Sequence, residues 1–236
     1  GMSLEDLVEK HGPLPPTRVV YLLEQVCGAL QEAHLAGLIH RDIKPANIFA
    51  AQRGGVYDVA KLLDFGLVKQ DADEPDGQTA GRRAVSGTPL YMSPEQASAY
   101  DEVDPRADIY SLGAVAYHLL TGQPPFQGTT ALEIITKHKT APVVRPDALV
   151  KGLPPGLSEI VLKMVAKNPA ERYRTLGETI GDLEDFLAKS RSGPPALGDE
   201  HLQVLRQSAD EFQGSPTAKL RGLVPLVFFG LCLGVA

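Results

Sequence analysis

The chain has 236 residues, 43% hydrophobic and 22% charged, an ordinary globular composition with room for one good-sized domain and a tail. A formal net charge of −6 gives no electrostatic reason to expect nucleic acid as a partner. Cys27 and Cys232 lie too far apart to suggest a disulfide framework or metal clip, and residues 1–10 hold acids and no apolar run, so the folded part is expected in a reducing, intracellular compartment without a signal peptide.

In chain order, Ser3 can cap a short helix, with Asp6 at the capping-box spacing, and the Gly12-Pro13 and Pro15-Pro16 breaks end it. From Thr17 the apolar residues Val19, Val20, Leu22, Leu23, Val26, Leu30 and Ala33 keep near-helical spacing, with Gly37 as the C-terminal cap. Ile48-Phe49-Ala50 predicts a short strand and Arg53-Gly54-Gly55 a hairpin-like turn. Residues 59–63 predict a second strand ending at Asp64. Residues 69–85, acidic and then polar, read as a mobile loop. Residues 108–120 form the most apolar helix of the folded part, closed by Gly122 and Pro124-Pro125. A helix apolar on most sides is buried, so this one is expected to be the central pillar. Further helices are predicted near 130–138, 158–167 and 175–188. Residues 190–198, rich in proline and glycine, read as a linker, and 199–213 could form a modest helix.

The last stretch differs in kind. Residues 222–236 carry no charge and follow Lys219 and Arg221. A spanning helix needs about 20 apolar residues, but a basic flank entering an apolar run fits the cytoplasmic side of one. The run is therefore expected to be the start of a truncated transmembrane helix, with a buried or amphipathic C-terminal helix as the alternative. The expected organisation is a folded domain over 1–188, a juxtamembrane linker over 189–221 and the membrane segment over 222–236.

The chemistry concentrates in His40-Arg41-Asp42-Ile43-Lys44-Pro45-Ala46-Asn47, followed on the next loop by Asp64-Phe65-Gly66. Phosphoryl transfer from ATP needs a carboxylate to accept the substrate hydroxyl proton and hard oxygen ligands to hold magnesium on the phosphates. Here an acid, Asp42, precedes an amide, Asn47, and a second acid, Asp64, follows a strand. This set resembles the catalytic and metal-binding loops of the protein kinases. The phrases His34-Leu35-Ala36-Gly37-Leu38-Ile39-His40-Arg41-Asp42 and Ser93-Pro94-Glu95-Gln96-Ala97 are similar to the bacterial Ser/Thr-directed branch, membrane-anchored type.

The resemblance covers roughly residues 1–188 and implies a mainly α fold with short β hairpins, the large C-terminal lobe of an incomplete kinase fold. It implies Asp42 as general base and Lys44 as the cation neutralising the transferring phosphoryl group. Asn47 and Asp64 would hold Mg2+, and Phe49 would floor the adenine pocket, unless it is a plain core residue. His40 and Phe65 would be packing residues. Ser86 to Glu95 would form the substrate shelf, with Thr88 bonded near Asp42 and Lys44, and with Ser93 where the family usually carries Ala. Glu95 would pair with Arg172, and Asp108 would anchor the catalytic loop. Arg41 would receive a phosphate placed on Thr79 or, second, Ser86, with Arg82 and Arg83 as further candidates.

The implied cofactors are ATP and Mg2+. The implied partners are protein substrates bearing Ser or Thr, the membrane through the C-terminal apolar segment, and a homodimer formed through missing parts, at the cytoplasmic face of the membrane. The family's glycine-rich phosphate loop, strand lysine and glutamate partner have no counterpart among the 236 residues. The chain is therefore expected to be a kinase fragment with little turnover alone. Two other classes stand beside it: a pseudokinase-like regulatory binding module, and a small-molecule phosphotransferase of kinase-like fold. The intact Asp42, Lys44, Asn47 and Asp64 argue against the first, and the shelf against the second.

Overall fold

The computed structural model describes residues 1–63, 89–98 and 103–191. Of its two units, Gly1–Ala188 and Lys189–Ala236, the first carries the fold described below. The expected mobile loop at 69–85, the helix at 199–213 and the apolar run at 222–236 lie outside the described residues.

Thirteen residues of α3 (Arg106–Thr121) are buried around its full circumference, among them Ile109, Tyr110, Leu112, Val115 and Leu119, a pattern a helix shows only when neighbours cover every side. Gly122, at φ 78, ends it in the left-handed conformation, its N–H returning to the His118 carbonyl at 2.8 Å. One side of α3 is covered by α6 (Pro155–Met164). The approach is close enough that a Cβ on Gly113 would stand 2.5 Å from Met164 Cβ and 2.9 Å from Val165 Cγ1. Glycine is what permits it.

A second side is covered by α2 (Pro16–Leu35), through a stripe that includes Val19, Leu22, Leu23, Val26 and Leu30. Proline at its first position costs no hydrogen bond. At its other end Gly37, at φ 77, donates to the His34 carbonyl at 3.0 Å, and Leu38 donates to that of Ala33 at 2.9 Å. This pair of bonds satisfies the last carbonyls and turns the chain out of the helix toward the loop at 40–47. Ahead of it, α1 (Leu4–His11) is capped by Ser3, whose Oγ accepts the Asp6 N–H at 3.1 Å and donates to the Asp6 carboxylate at 2.7 Å.

A three-stranded antiparallel sheet in the order β1-β2-β3 packs beside α2: β1 (Met2–Ser3), β2 (Ile48–Arg53) and β3 (Val56–Leu62). Two residues are too few to show alternation, which is why β1 does not announce itself in the sequence. The second strand begins at Val56 rather than 59, because Gly54 and Gly55 both take positive φ (57 and 85) and form a two-residue turn pairing Arg53 with Val56. The ladder slips between Ala51 and Arg53, and Asp58 sits at φ 57. Residues of α2 hold this irregularity: Arg18 makes a bidentate pair with Asp58 at 2.8 Å, and Gln25 bonds both the Asp58 carbonyl at 2.9 Å and the Ala60 N–H at 3.0 Å.

The remaining helices are α4 (Ala131–Thr140), α5 (Pro146–Leu149) and α7 (Leu176–Arg191). The last outruns the expected boundary at 188, since no glycine or proline intervenes before Gly193. Conversely, α6 ends at Met164 rather than 167. Lys167 leaves that helix to cap another: its Nζ donates to the Lys137 and His138 carbonyls in the last turn of α4, at 3.3 and 2.7 Å. Among the described residues no buried side-chain polar atom lacks a partner, and no helix is long and apolar enough to cross a membrane.

Candidate active site

The loop between α2 and β2 is shaped by one buried carboxylate. Asp108, in the first turn of α3 and fully buried, accepts the backbone N–H of His40 at 2.8 Å and of Arg41 at 2.9 Å. It also meets His34 Nε2, from α2, at 2.8 Å. Arg41 adopts φ 65, a left-handed backbone rare for a residue with a Cβ. Such a conformation persists only where surrounding bonds over-determine it. His40 is buried, and its Nδ1 accepts the Asp42 N–H at 3.3 Å, so the proton sits on Nε2, which reaches the Leu63 carbonyl at 3.0 Å.

Three candidate residues meet on the outer side of this loop. Lys44 Nζ lies 2.9 Å from Asp42 Oδ2. The turn Pro45–Asn47 folds Asn47 back so that its Nδ2 donates to the Asp42 carbonyl at 2.9 Å and to Asp42 Oδ2 at 3.1 Å. With Nδ2 committed to Asp42, the carboxamide presents Oδ1 on its other side, an oxygen of the hard kind magnesium takes. The Asp42 and Lys44 side chains are 47% and 40% exposed. Their pairing adds little stability and leaves both reachable from solvent. Leu63 connects this cluster to the end of β3: its N–H donates to the Asn47 carbonyl at 2.9 Å while its carbonyl meets His40.

The segment 89–98 is tied down at four points. Arg172, with a fully buried side chain, makes a bidentate pair with Glu95 at 2.6 and 2.9 Å, and it also donates to the carbonyls of Ala166, Lys167 and Arg106. His138 Nε2 bonds the Leu90 carbonyl at 3.1 Å, and its Nδ1 meets the Tyr110 hydroxyl at 2.8 Å. Burial, with the nearby Lys167 charge, pushes His138 down to about 4, and burial pushes Lys167 down to about 8. The Tyr91 hydroxyl bonds His118 Nδ1. Gln96 donates from Nε2 to the Arg41 carbonyl at 2.8 Å.

Sequence reasoning did not find His34, His118, His138 or Gln96. Each acts across a fold contact that no spacing encodes, although His34 and Gln96 stood inside the two phrases that carry the resemblance. The structure thus gathers Asp42, Lys44 and Asn47 in one cluster and ties Glu95, Arg172 and Asp108 into the scaffold beneath it. Phe49 is half-buried, while its strand neighbours Ile48 and Ala50 pack on the core. Alternation along β2 turns Phe49 to the other face. Asp64, Phe65, Thr79, Arg82, Arg83, Ser86 and Thr88 lie outside the described residues. Among the described residues no three His, Cys, Asp or Glu side chains cluster as a metal site would. Asn47 would need Asp64 and phosphate oxygens beside it.

A family model for the protein kinase domain matches residues 1–179. The chain belongs to this family. Among its relatives, the serine/threonine-protein kinase PknB of Mycobacterium tuberculosis (strain ATCC 25618 / H37Rv) is 39% identical over 222 residues, covering 93% of this chain and 34% of that protein. PknL of the same strain is 43% identical over 184 residues, covering 78% of this chain and 44% of the relative. The kinase-domain chain described here spans about a third of the length of the PknB proteins it matches. Among solved structures, the crystal structure of Rad53 1-466 in complex with AMP-PNP superposes with a TM-score of 0.62 at 24% identity, covering 77% of this chain and 43% of that one. That likeness speaks to the fold alone.

Proposed function

We propose that this chain carries the catalytic loop of a Ser/Thr protein kinase of the bacterial type, which moves the terminal phosphate of ATP onto a Ser or Thr hydroxyl of a protein. The observation that carries the reading is the meeting of Lys44 Nζ and Asn47 Nδ2 on one oxygen of Asp42, at 2.9 and 3.1 Å. Held there, the Asp42 carboxylate can accept the proton of an attacking hydroxyl. Lys44 is placed to move from Asp42 to the transferring phosphoryl group, whose negative charge it would neutralise. Asn47 orients Asp42 with its nitrogen and offers its oxygen to magnesium, with Asp64, one peptide bond past Leu63, as the second ligand. Magnesium, when bound, neutralises charge on the β- and γ-phosphate oxygens.

The names of the relatives, PknB and PknL, support Ser/Thr as the acceptor, as does Lys44 two residues past the base. In this reading the glycine-rich loop and strand lysine come from outside these residues. Residues 222–236 would enter a membrane, supported by their uncharged composition behind Lys219 and Arg221. The homodimer, and a phosphate carried on Thr79 or, second, on Ser86 and held by the Arg41 guanidinium, belong to the same proposal.

The test is phosphoamino-acid analysis of the full-length protein after incubation with labelled ATP, magnesium and a generic protein substrate. Label in phosphoserine or phosphothreonine is expected. Label only in small-molecule acceptors, or none in a folded, ATP-binding protein, would overturn the reading.

A further inference from the structure

The peptide linking Arg41 to Asp42 is gripped along both edges. Its carbonyl accepts from Gln96 Nε2 at 2.8 Å, and its N–H donates to His40 Nδ1 at 3.3 Å. The first bond is the shorter, and its donor cannot turn away. Gln96 Oε1 accepts from the Ser93 N–H at 3.1 Å and from the Ser93 hydroxyl at 3.0 Å, so Nε2 is the atom left to face Arg41. A flipped carboxamide would set donor against donor at Ser93 and oxygen against oxygen at Arg41. Ser93 and Gln96 are both buried, at 0% and 7% exposure, so water does not replace the bond. The peptide it holds follows the left-handed Arg41, a conformation that relaxes unless it is fastened.

We infer that Gln96 is a positioning residue for phosphoryl transfer: it fixes the Arg41–Asp42 peptide from the substrate shelf and thereby aims the Asp42 carboxylate. The inference rests on the kinase reading above. Asp108 holds the N–H groups of His40 and Arg41, but neither bond restrains the plane that follows Arg41. Gln96 does. Because the same side chain grips Ser93, the shelf and the base share one orientation, and a shelf displaced from its place loosens the base with it. Small misplacements of a base lower turnover steeply while leaving substrate contacts in place.

The experiment compares kcat and KM for ATP and for a Ser/Thr peptide in the full-length protein and three variants. Gln96→Glu keeps length and both acceptors for Ser93 but turns an oxygen on the Arg41 carbonyl. Gln96→Met keeps length and removes all polar contacts. Ser93→Ala removes one of the two bonds that orient the carboxamide. For either Gln96 variant kcat is expected to fall about 10-fold with both KM values within about twofold of wild type, since a lost transition-state alignment appears in kcat. Ser93→Ala is expected to lose about 2–3-fold in kcat by the same argument. Wild-type kcat in a folded Gln96→Glu protein would overturn the inference, as would a raised KM with kcat retained. Should both Gln96 variants fail to fold, unchanged kcat in Ser93→Ala overturns it alone. An Asp42→Asn control separates the two levels. If that control is as active as wild type, Asp42 is not the base, and the role assigned to it in the kinase reading has failed. If it is inactive while the Gln96 variants turn over normally, only the positioning role has failed.

Discussion

Asp108→Ala should be among the most destabilising single changes in the scaffold of the loop at 40–47. The carboxylate accepts the N–H groups of His40 and Arg41 and meets His34 Nε2, all at 2.8–2.9 Å, in a fully buried position. Truncation leaves the buried His40 N–H, the half-buried Arg41 N–H and the His34 imidazole without that partner, and an orphaned buried donor costs about 1–3 kcal/mol. Allowing for partial rearrangement, including relaxation of Arg41 out of its left-handed backbone, the loss should be about 3–5 kcal/mol, similar to breaking a buried charged network. Against a total stability of about 5–15 kcal/mol this approaches unfolding. Asp108→Asn should lose less, about 2 kcal/mol, because it keeps one oxygen acceptor while turning an NH2 on another donor. Urea unfolding followed by circular dichroism measures both, with the m-value expected to stay constant. A loss under about 1 kcal/mol for Asp108→Ala would mean the loop is held by other bonds, and the argument from this carboxylate would be wrong.

Arg172→Met should cost about 3–5 kcal/mol by leaving Glu95 without its buried partner, and replacing both residues with apolar ones of similar volume should recover much of that loss in the same unfolding assay. Gly113→Ala should destabilise by about 1–3 kcal/mol through overpacking, since the added Cβ would meet Met164 at 2.5 Å; a neutral result would show that α6 can retreat freely. At His138 the unfolded chain takes up a proton near the ordinary 6.5, while the folded one does so only near 4. Protonation therefore favours unfolding between these values, and His138 should withdraw up to about 3 kcal/mol as pH falls through that window. Thermal melts from pH 7 to pH 4 should show a shallower decline in His138→Gln than in wild type. Lys167 works in the opposite range: its folded value near 8 lies below the ordinary 10.5, so its contribution to stability should rise as pH climbs above 8, and Lys167→Met should flatten that rise.

The helices of this domain were legible because their signals are local. The apolar stripe from Val19 to Leu30, the glycine at 37 and the unbroken apolarity of 108–120 each state a helix, its end or its burial within one window of sequence. The strand start at Val56 was missed because Gly54-Gly55 set the turn shorter than the apolar run suggested. The end of α6 was missed because Lys167 serves α4, thirty residues away in the chain, rather than its own helix. The candidate site divides in the same way. Asp42, Lys44 and Asn47 lie within six residues and meet through one turn, so their spacing in the sequence foreshadows their meeting in space. Gln96, on the 89–98 segment, reaches the Arg41 carbonyl, and His34, on α2, meets the Asp108 carboxylate that holds the loop, while His138, on α4, holds the 89–98 segment at Leu90; only tertiary packing brings these separate elements together.

The central claim is that Asp42 accepts the proton of a Ser or Thr hydroxyl as phosphate arrives. Its most direct measurement is the rate of transfer from ATP to a serine peptide by the full-length protein and by Asp42→Asn, under conditions where both bind ATP and magnesium equally. Loss of a positioned general base should slow Asp42→Asn by about 10²–10⁴-fold with ATP binding unchanged. A variant that transfers phosphate at the wild-type rate would contradict the account.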